Sequence, residues 1–235
     1  MPSLYFTNID SRVVNSCLSS LARRGWAIRL SLVAALAALP VRVSNGLAAE
    51  SPAPAEAGSA PRPDSGPAAL IASLKGRVLA AHSATLALES WCAEYGLAGD
   101  PHLVALRLPV ADKPLTAAQR TRLAIGPDEP VRYRRVRLAC GDRVLSEADN
   151  WYVPARLTPE MNTTLDGTRT PFGRVVRPLD PVRRTVAVRP FAQHPEPGPD
   201  DPLFEVDAVL VSGAGQPFCE VVETYLGGAL PEASR

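Results

Sequence analysis

Arg134 and Glu223 are the two side chains of this sequence whose type and position could do chemistry, each a charged group on a largely apolar strand face. Both sit in stretches that read as β-strands, where side chains alternate between faces. In "VRYRRVRLAC" (131–140), Arg132, Arg134, Val136, Leu138 and Cys140 share one face; Val131, Tyr133, Arg135, Arg137 and Ala139 share the other. The first face carries the apolar run and is expected to point inward, which places a guanidinium at the edge of an apolar surface. Such a group sits there for a reason beyond packing, or it snorkels to water from the strand end. In residues 218–225, Cys219, Val221, Glu223 and Tyr225 share a face that is apolar apart from Glu223. An unpaired buried carboxylate is costly, so a partner is expected there, and an inward arginine is the natural one. The alternative is an edge strand with Glu223 in water.

The strand after 131–140, "LSEADNWYVP" (145–154), supplies a third candidate. A three-residue loop, Gly141-Asp142-Arg143, sets Cys140 opposite Val144, Leu138 opposite Ser146, Val136 opposite Ala148 and Arg134 opposite Asn150. On the other face Arg137 meets Glu147, and Arg135 meets Asp149. A loop one residue shorter or longer reverses the parity and puts Glu147 against an apolar position. Cross-strand opposite charges contribute roughly 0.2–1 kcal/mol each, enough to favour the three-residue register. Of the polar residues Glu147, Asp149 and Asn150, only Asn150 is then aimed inward, beside Arg134.

The elements that position these strands follow from periodicity and punctuation. Leu70, Leu74, Val78 and Leu79 make a helical stripe over 69–81. Ser83 can cap a second helix, 84–95, carrying Leu88, Trp91, Cys92 and Tyr95, with Gly96 ending it. "HLVALRLPV" (102–110) is a strand, and Thr116 opens a short helix through Leu123. Thr158 and Pro159 start another short helix. "TPFGRVVRPL" (170–179) and "RRTVAVRPF" (183–191) are expected to be extended, and 203–226 forms a hairpin that turns around Gly213–Pro217. Helices first, then consecutive strands with short connections, predict an α+β fold: a mainly antiparallel sheet with the N-terminal helices packed on it.

Residues 30–39, "LSLVAALAAL", follow Arg23, Arg24 and Arg29 and precede "GLAAE" (46–50). This is the pattern of a secretory signal peptide over 1–49, cleaved near Ala49; a buried core helix is the alternative. The run falls short of the about 20 apolar residues a membrane span needs, so no span is expected in the mature chain. Pro/Ala-rich residues 50–68 read as a disordered linker. One domain is then expected over 69–235, periplasmic or secreted. The chain holds 25 basic and 24 acidic residues; residues 1–49 account for five and one, which leaves 20 and 23, a net charge of −3. That argues against a nucleic-acid binder. In an oxidising space, Cys92, Cys140 and Cys219 allow at most one internal bridge, Cys92–Cys140, or none. The three histidines are scattered, no Cys/His pair has zinc spacing, and the Gly-x-Ser-x-Gly elbow, phosphate loop and dinucleotide fingerprint are absent. No metal and no cofactor is expected.

From "RRVRLACGD" through "YVP" and "GTRTPFG" to "QPFCEVVETYL", the chain resembles the chorismate pyruvate-lyase superfamily over about residues 130–226. That chorismate lyase-like fold also includes ligand-sensing domains of transcription regulators. Its lyases release pyruvate and 4-hydroxybenzoate from chorismate without metal or cofactor. The resemblance implies that Arg134 holds a carboxylate, that Phe172 in the Pro171-Phe172-Gly173 turn offers a backbone N–H, and that Glu223 is the catalytic acid/base. The pattern departs at Arg135, where the family usually has an acidic residue. It departs again at Asn150, a position often basic, which bears on ligand charge. The lyases work in the cytoplasm, where chorismate is made, whereas this chain carries an export pattern.

Three functions follow. One is an exported domain that binds a small aromatic carboxylate in a buried pocket, without turnover, through Arg134, Phe172 and Asn150. The second is a chorismate-lyase-type carbon–oxygen lyase using Glu223. The third is a structural or interaction protein with a vestigial pocket. Export favours the first over the second, and the presence of Arg134 and Glu223 favours either over the third.

Overall fold

The computed structural model describes residues 66–192 and 194–232. The expected signal peptide, and all but the last three residues of the expected linker, lie outside the described residues. Helix α1 spans Pro67–Ala80 and opens two residues before the predicted start, with a proline in its first turn, where a missing N–H costs nothing. Its buried stripe is Leu70, Ile71, Leu74 and Val78. Leu79 is exposed instead, because the residue next to a stripe position turns off that face. Helix α2, Ala84–Glu94, is capped by the Ser83 hydroxyl, which accepts from the Leu86 N–H. Gly96, just past its end, takes the left-handed φ of +59° that favours glycine.

Six strands follow among the described residues: β1 Leu103–Leu108, β2 Arg132–Cys140, β3 Arg143–Tyr152, β4 Val182–Pro190, β5 Pro202–Val211 and β6 Pro217–Leu226. They form one sheet in the order β1-β2-β3-β6-β5-β4, with every neighbouring pair antiparallel. The α+β architecture is the one the sequence predicts. Helices α3 (Ala117–Arg122), α4 (Pro159–Gly167) and α5 (Phe172–Val175) lie in the connections. α1 and α2 pack Leu74, Leu88 and Trp91 on the inner face against Val136, Leu138 and Tyr225. A second apolar cluster gathers α4 and α5 over Tyr152, Leu210 and Cys219.

Residues 170–179 are not extended. They form α5 and a 3-10 turn, Arg177–Leu179. Two prolines and a glycine hide the helical spacing of Phe172, Val175 and Val176, all buried in the second cluster, and both prolines sit at turn starts, where they are tolerated.

The β2–β3 hairpin keeps the predicted pairs Leu138–Ser146, Val136–Ala148 and Arg134–Asn150, but not the predicted loop. Cys140 faces Arg143 rather than Val144. The loop is Gly141-Asp142, with Gly141 at a φ of +55°, and the register shifts between Leu138 and Ala139. A two-residue turn alone would have reversed the parity; the extra residue Leu145 is a bulge that restores it. On the outer face Glu147 accepts from both Arg135 (2.6 Å) and Arg137 (2.8 Å). Asp149 is held by Tyr133 Oη (2.6 Å) and Lys113 Nζ (3.1 Å), with Arg135 Nε at 3.8 Å.

Cys92 on α2 is bonded to Cys140 at the end of β2, with Cα atoms 6.6 Å apart, and Cys219 is free and buried. The bridge ties α2 to the strand that carries Arg134. Among the described residues, no helix is long and apolar enough to cross a membrane.

Candidate anion-binding site

Strand pairing gathers the polar residues of the inner face. Arg134 lies opposite Asn150, Asn150 opposite Val221, and Ala148 opposite Glu223. On β4, Arg183 lies opposite Leu210, which in turn faces Cys219. A small cavity opens over this region, between the start of α2 and α5. Thr85, Phe172 and Gly173 form its roof, and Asn150, Arg183 and Glu223 supply polar groups to its floor. It offers water-sized occupants about 40 Å³, room for on the order of three waters; a larger guest needs the roof or a floor side chain to move. A Cβ on Gly173 would stand 2.8 Å from Thr85 Oγ1 and 3.1 Å from Ser83 Oγ, so glycine lets α5 close on α2.

Arg134 is buried, with 4% of its surface exposed, and is not snorkelling. Its Nε and Nη1 are buried without a hydrogen-bond partner among the described residues. It stands beside the cavity rather than in its wall: its same-face neighbours, Val136 and Asn150, are wall residues. Burial lowers its pKa from the ordinary arginine value, with Tyr152 opposing that effect and Arg107 adding to it. An arginine keeps its charge regardless.

Glu223 is buried, not a solvated edge residue. Its partner is not Arg134. Oε2 accepts from Arg183 Nη2 at 2.5 Å and from Tyr225 Oη at 3.0 Å. The Arg183 and Glu223 side chains are 4% and 8% exposed, which makes this a buried ion pair. Burial works against the Arg183 charge, but Glu223 and Tyr225 outweigh it and the pKa is raised. Arg183 Nε has no partner. Burial pushes the Cys219 thiol up, and Glu223 adds to this, while Arg134 and Arg183 both pull it down. Cys219 thus lies within the fields of both guanidiniums.

Asn150 is buried and faces Arg134 without bonding to it; its Nδ2 makes one long contact, 3.4 Å, to the Ala148 carbonyl. Phe172 is the first residue of α5, not part of an extended turn. Its ring packs between Tyr152 and Phe218, with centroids 5.5 and 6.4 Å away. Its N–H is among those at a helix start that have no acceptor within the helix. The fold thus brings Asn150, Phe172 and Glu223 to one cavity and sets Arg134 at its side. Arg183 and Tyr225 were not singled out from sequence. Inner-face parity on β6 already included Tyr225, but β4 gives no clean signal, because adjacent Arg183 and Arg184 point to opposite faces and the register shifts after Thr185.

Among the described residues, no group of three His, Cys, Asp or Glu side chains could hold a metal ion. With Arg134, Arg183 and Glu223 the site carries a formal charge of +1, and three guanidinium nitrogens lack acceptors. One monoanion would balance that charge.

Fold and site define an α+β protein with a six-stranded antiparallel sheet and a cationic pocket on its helix-covered face. No protein-family profile matches the chain. It is 43% identical over 180 residues to uncharacterized protein y4mC of Sinorhizobium fredii (strain NBRC 101917 / NGR234), across 69% of this chain and 76% of that protein, and belongs to the same family. Similar solved structures include PhnF of Mycobacterium smegmatis (16% identity, 65% of this chain and 67% of that one, TM-score 0.44) and its effector domain (14%, 62% and 89%, TM-score 0.43). YydK of Bacillus subtilis is similar at 15% identity and TM-score 0.37; the match covers 52% of this chain and just over half, 57%, of YydK.

Proposed function

We propose that this protein is a chorismate lyase-like binding domain that holds a small aromatic carboxylate, without turnover, in the inner-face pocket. The observation that carries this reading is Arg134: a guanidinium 4% exposed, with Nε and Nη1 lacking an acceptor among the described residues. Buried polar groups are ordinarily satisfied, and a carboxylate matches the fork of a guanidinium with two oxygens. Asn150 supplies a neighbouring amide, and Phe172 supplies aromatic surface in the cavity wall. Thermal unfolding with 4-hydroxybenzoate and related acids tests the reading. At 100 times Kd a ligand stabilises by about 2.7 kcal/mol, or roughly 5–10 °C in Tm for a domain of this size. The shift should vanish in Arg134→Ala; an unchanged Tm across a panel of aromatic acids refutes the reading.

A lyase is the second reading, favoured by the presence of Glu223 in the cavity floor. It requires Glu223 to give and take a proton, yet that carboxylate is already the acceptor of Arg183 and Tyr225. Release of 4-hydroxybenzoate from chorismate above an Arg134→Ala/Glu223→Ala control would establish it. Export belongs to the proposal too, on the signal-peptide pattern of residues 1–49. A mature N-terminus near residue 50 in the periplasmic or secreted fraction is the expected result.

A further inference from the structure

We propose that Glu223 is a charge selector: paired with Arg183, it limits the pocket to ligands with a single negative charge. The inference rests on the reading that the pocket binds a carboxylate, and adds what sets the charge of that ligand.

The two buried arginines do different things. Among the described residues Arg134 has no acceptor on Nε or Nη1, and the more distant charges acting on it, Arg107 and Asp166, oppose each other, whereas Arg183 is paired with Glu223, which Tyr225 also holds in place. The three charges sum to +1, so one monoanion neutralises the site. A dianion would place its second charge in the same desolvated space as Glu223, where like charges repel strongly. Arg183 Nε is free among the described residues, but a charge placed there stands beside the Glu223 carboxylate already paired on Nη2 and is opposed by it. Arg183 is therefore a positioning residue that holds Glu223, and Glu223 is the group that rejects a second charge.

Glu223→Gln preserves shape and leaves Arg134 and Arg183, a charge of +2, which suits a dianion. Arg183→Met with Glu223→Gln returns the charge to +1 and removes the buried pair as a unit, the less disruptive way to lose one.

The test is the affinity of the full-length protein for benzoate and for terephthalate, its 1,4-dicarboxylate, measured by calorimetry at pH 8. That pH is above the ordinary histidine range, so the guanidiniums and the carboxylate set the charge. Wild type should prefer benzoate at least tenfold. Glu223→Gln should prefer terephthalate, and the double variant should return to benzoate. The reversal separates charge from size, since a steric bar to the larger acid would persist in Glu223→Gln. Equal affinities in wild type, or an unchanged ratio in Glu223→Gln, overturns the inference while leaving carboxylate binding standing. If Glu223→Gln does not fold, Arg183→Lys with Glu223→Gln carries the same +2 charge and takes its place: a reversal toward terephthalate supports the inference, and an unchanged ratio overturns it. Binding of neither acid to wild type removes the underlying reading and the inference with it.

Discussion

Arg183 on β4 reaches past β5 to place Nη2 2.5 Å from Glu223 Oε2 on β6, so the carboxylate of the pocket floor is neutralised from the far edge of the sheet. Arg134, on the other side of the site, is left without an acceptor on Nε or Nη1. Occupied and unoccupied guanidiniums on one face give the pocket its charge, and each has a measurable effect on stability.

The first effect is that of the pair. Removing one member of a buried ion pair costs about 3–5 kcal/mol because the other is stranded, whereas removing both is far milder. Arg183→Met and Glu223→Gln should each lose an amount of that order in denaturant unfolding, and the double variant much less than their sum. Additive losses would mean that the two side chains are not coupled.

Arg134 should behave in the opposite way. With two buried nitrogens unsatisfied, it is a burden on the unliganded fold, since an unsatisfied buried polar group costs about 1–3 kcal/mol. Arg134→Met, similar in length and apolar, should raise the midpoint of urea unfolding while abolishing acid binding. Such an exchange of stability for activity is common at sites held ready for a ligand. A destabilised Arg134→Met would show that Arg134 is satisfied in solution and would weaken its assignment as a ligand anchor.

Strand alternation is a local property, and it made Arg134, Asn150 and Glu223 legible as inward residues. The pairs from Leu138–Ser146 to Arg134–Asn150 were legible too, because charge and apolar matching admit one parity. The turn itself was not: a two-residue loop followed by the Leu145 bulge yields the same parity as a three-residue loop. Arg183 was hidden for a different reason. β4 is an edge strand with a register shift and largely exposed residues, and its one inward charge acquires meaning only when the sheet brings β4 within reach of β6. α5 was masked by prolines and a glycine that signal loops locally, while tertiary packing of Phe172, Val175 and Val176 makes it helical.

The Cys92–Cys140 bridge closes 48 residues and joins α2, which roofs the cavity, to β2, which floors it. On the chain-entropy account a loop of that length contributes about 4 kcal/mol. Cys92→Ala/Cys140→Ala should therefore lower stability by about 2–4 kcal/mol, and acid affinity should fall as the roof loosens. Equal unfolding midpoints for the oxidised wild type and the double alanine variant would contradict this.

Across the sheet, Asp207 on β5 sets a pH dependence. It is buried, its Oδ1 has no partner, and it shares the outer face with Glu220, which is fully buried and accepts from Arg122 Nε (3.0 Å) and Nη2 (2.6 Å). Burial pushes the Asp207 carboxyl above its ordinary range; Glu220 adds to this, and Arg122 and Arg189 oppose it. The native chain then binds this proton more tightly than the unfolded chain does. From the ordinary aspartate value of about 3.9 up to the raised native value, the native state holds more protons, so stability falls as pH rises. Above that interval the penalty is complete. Asp207→Asn removes the titration and retains the shape. Its stability advantage over wild type should be smallest near pH 4, grow as pH rises and then level off, with the shared contributions of other carboxylates cancelling in the difference. Urea unfolding of both proteins from pH 4 to 8 measures that curve, and a difference independent of pH would show that Asp207 is not held protonated by its surroundings.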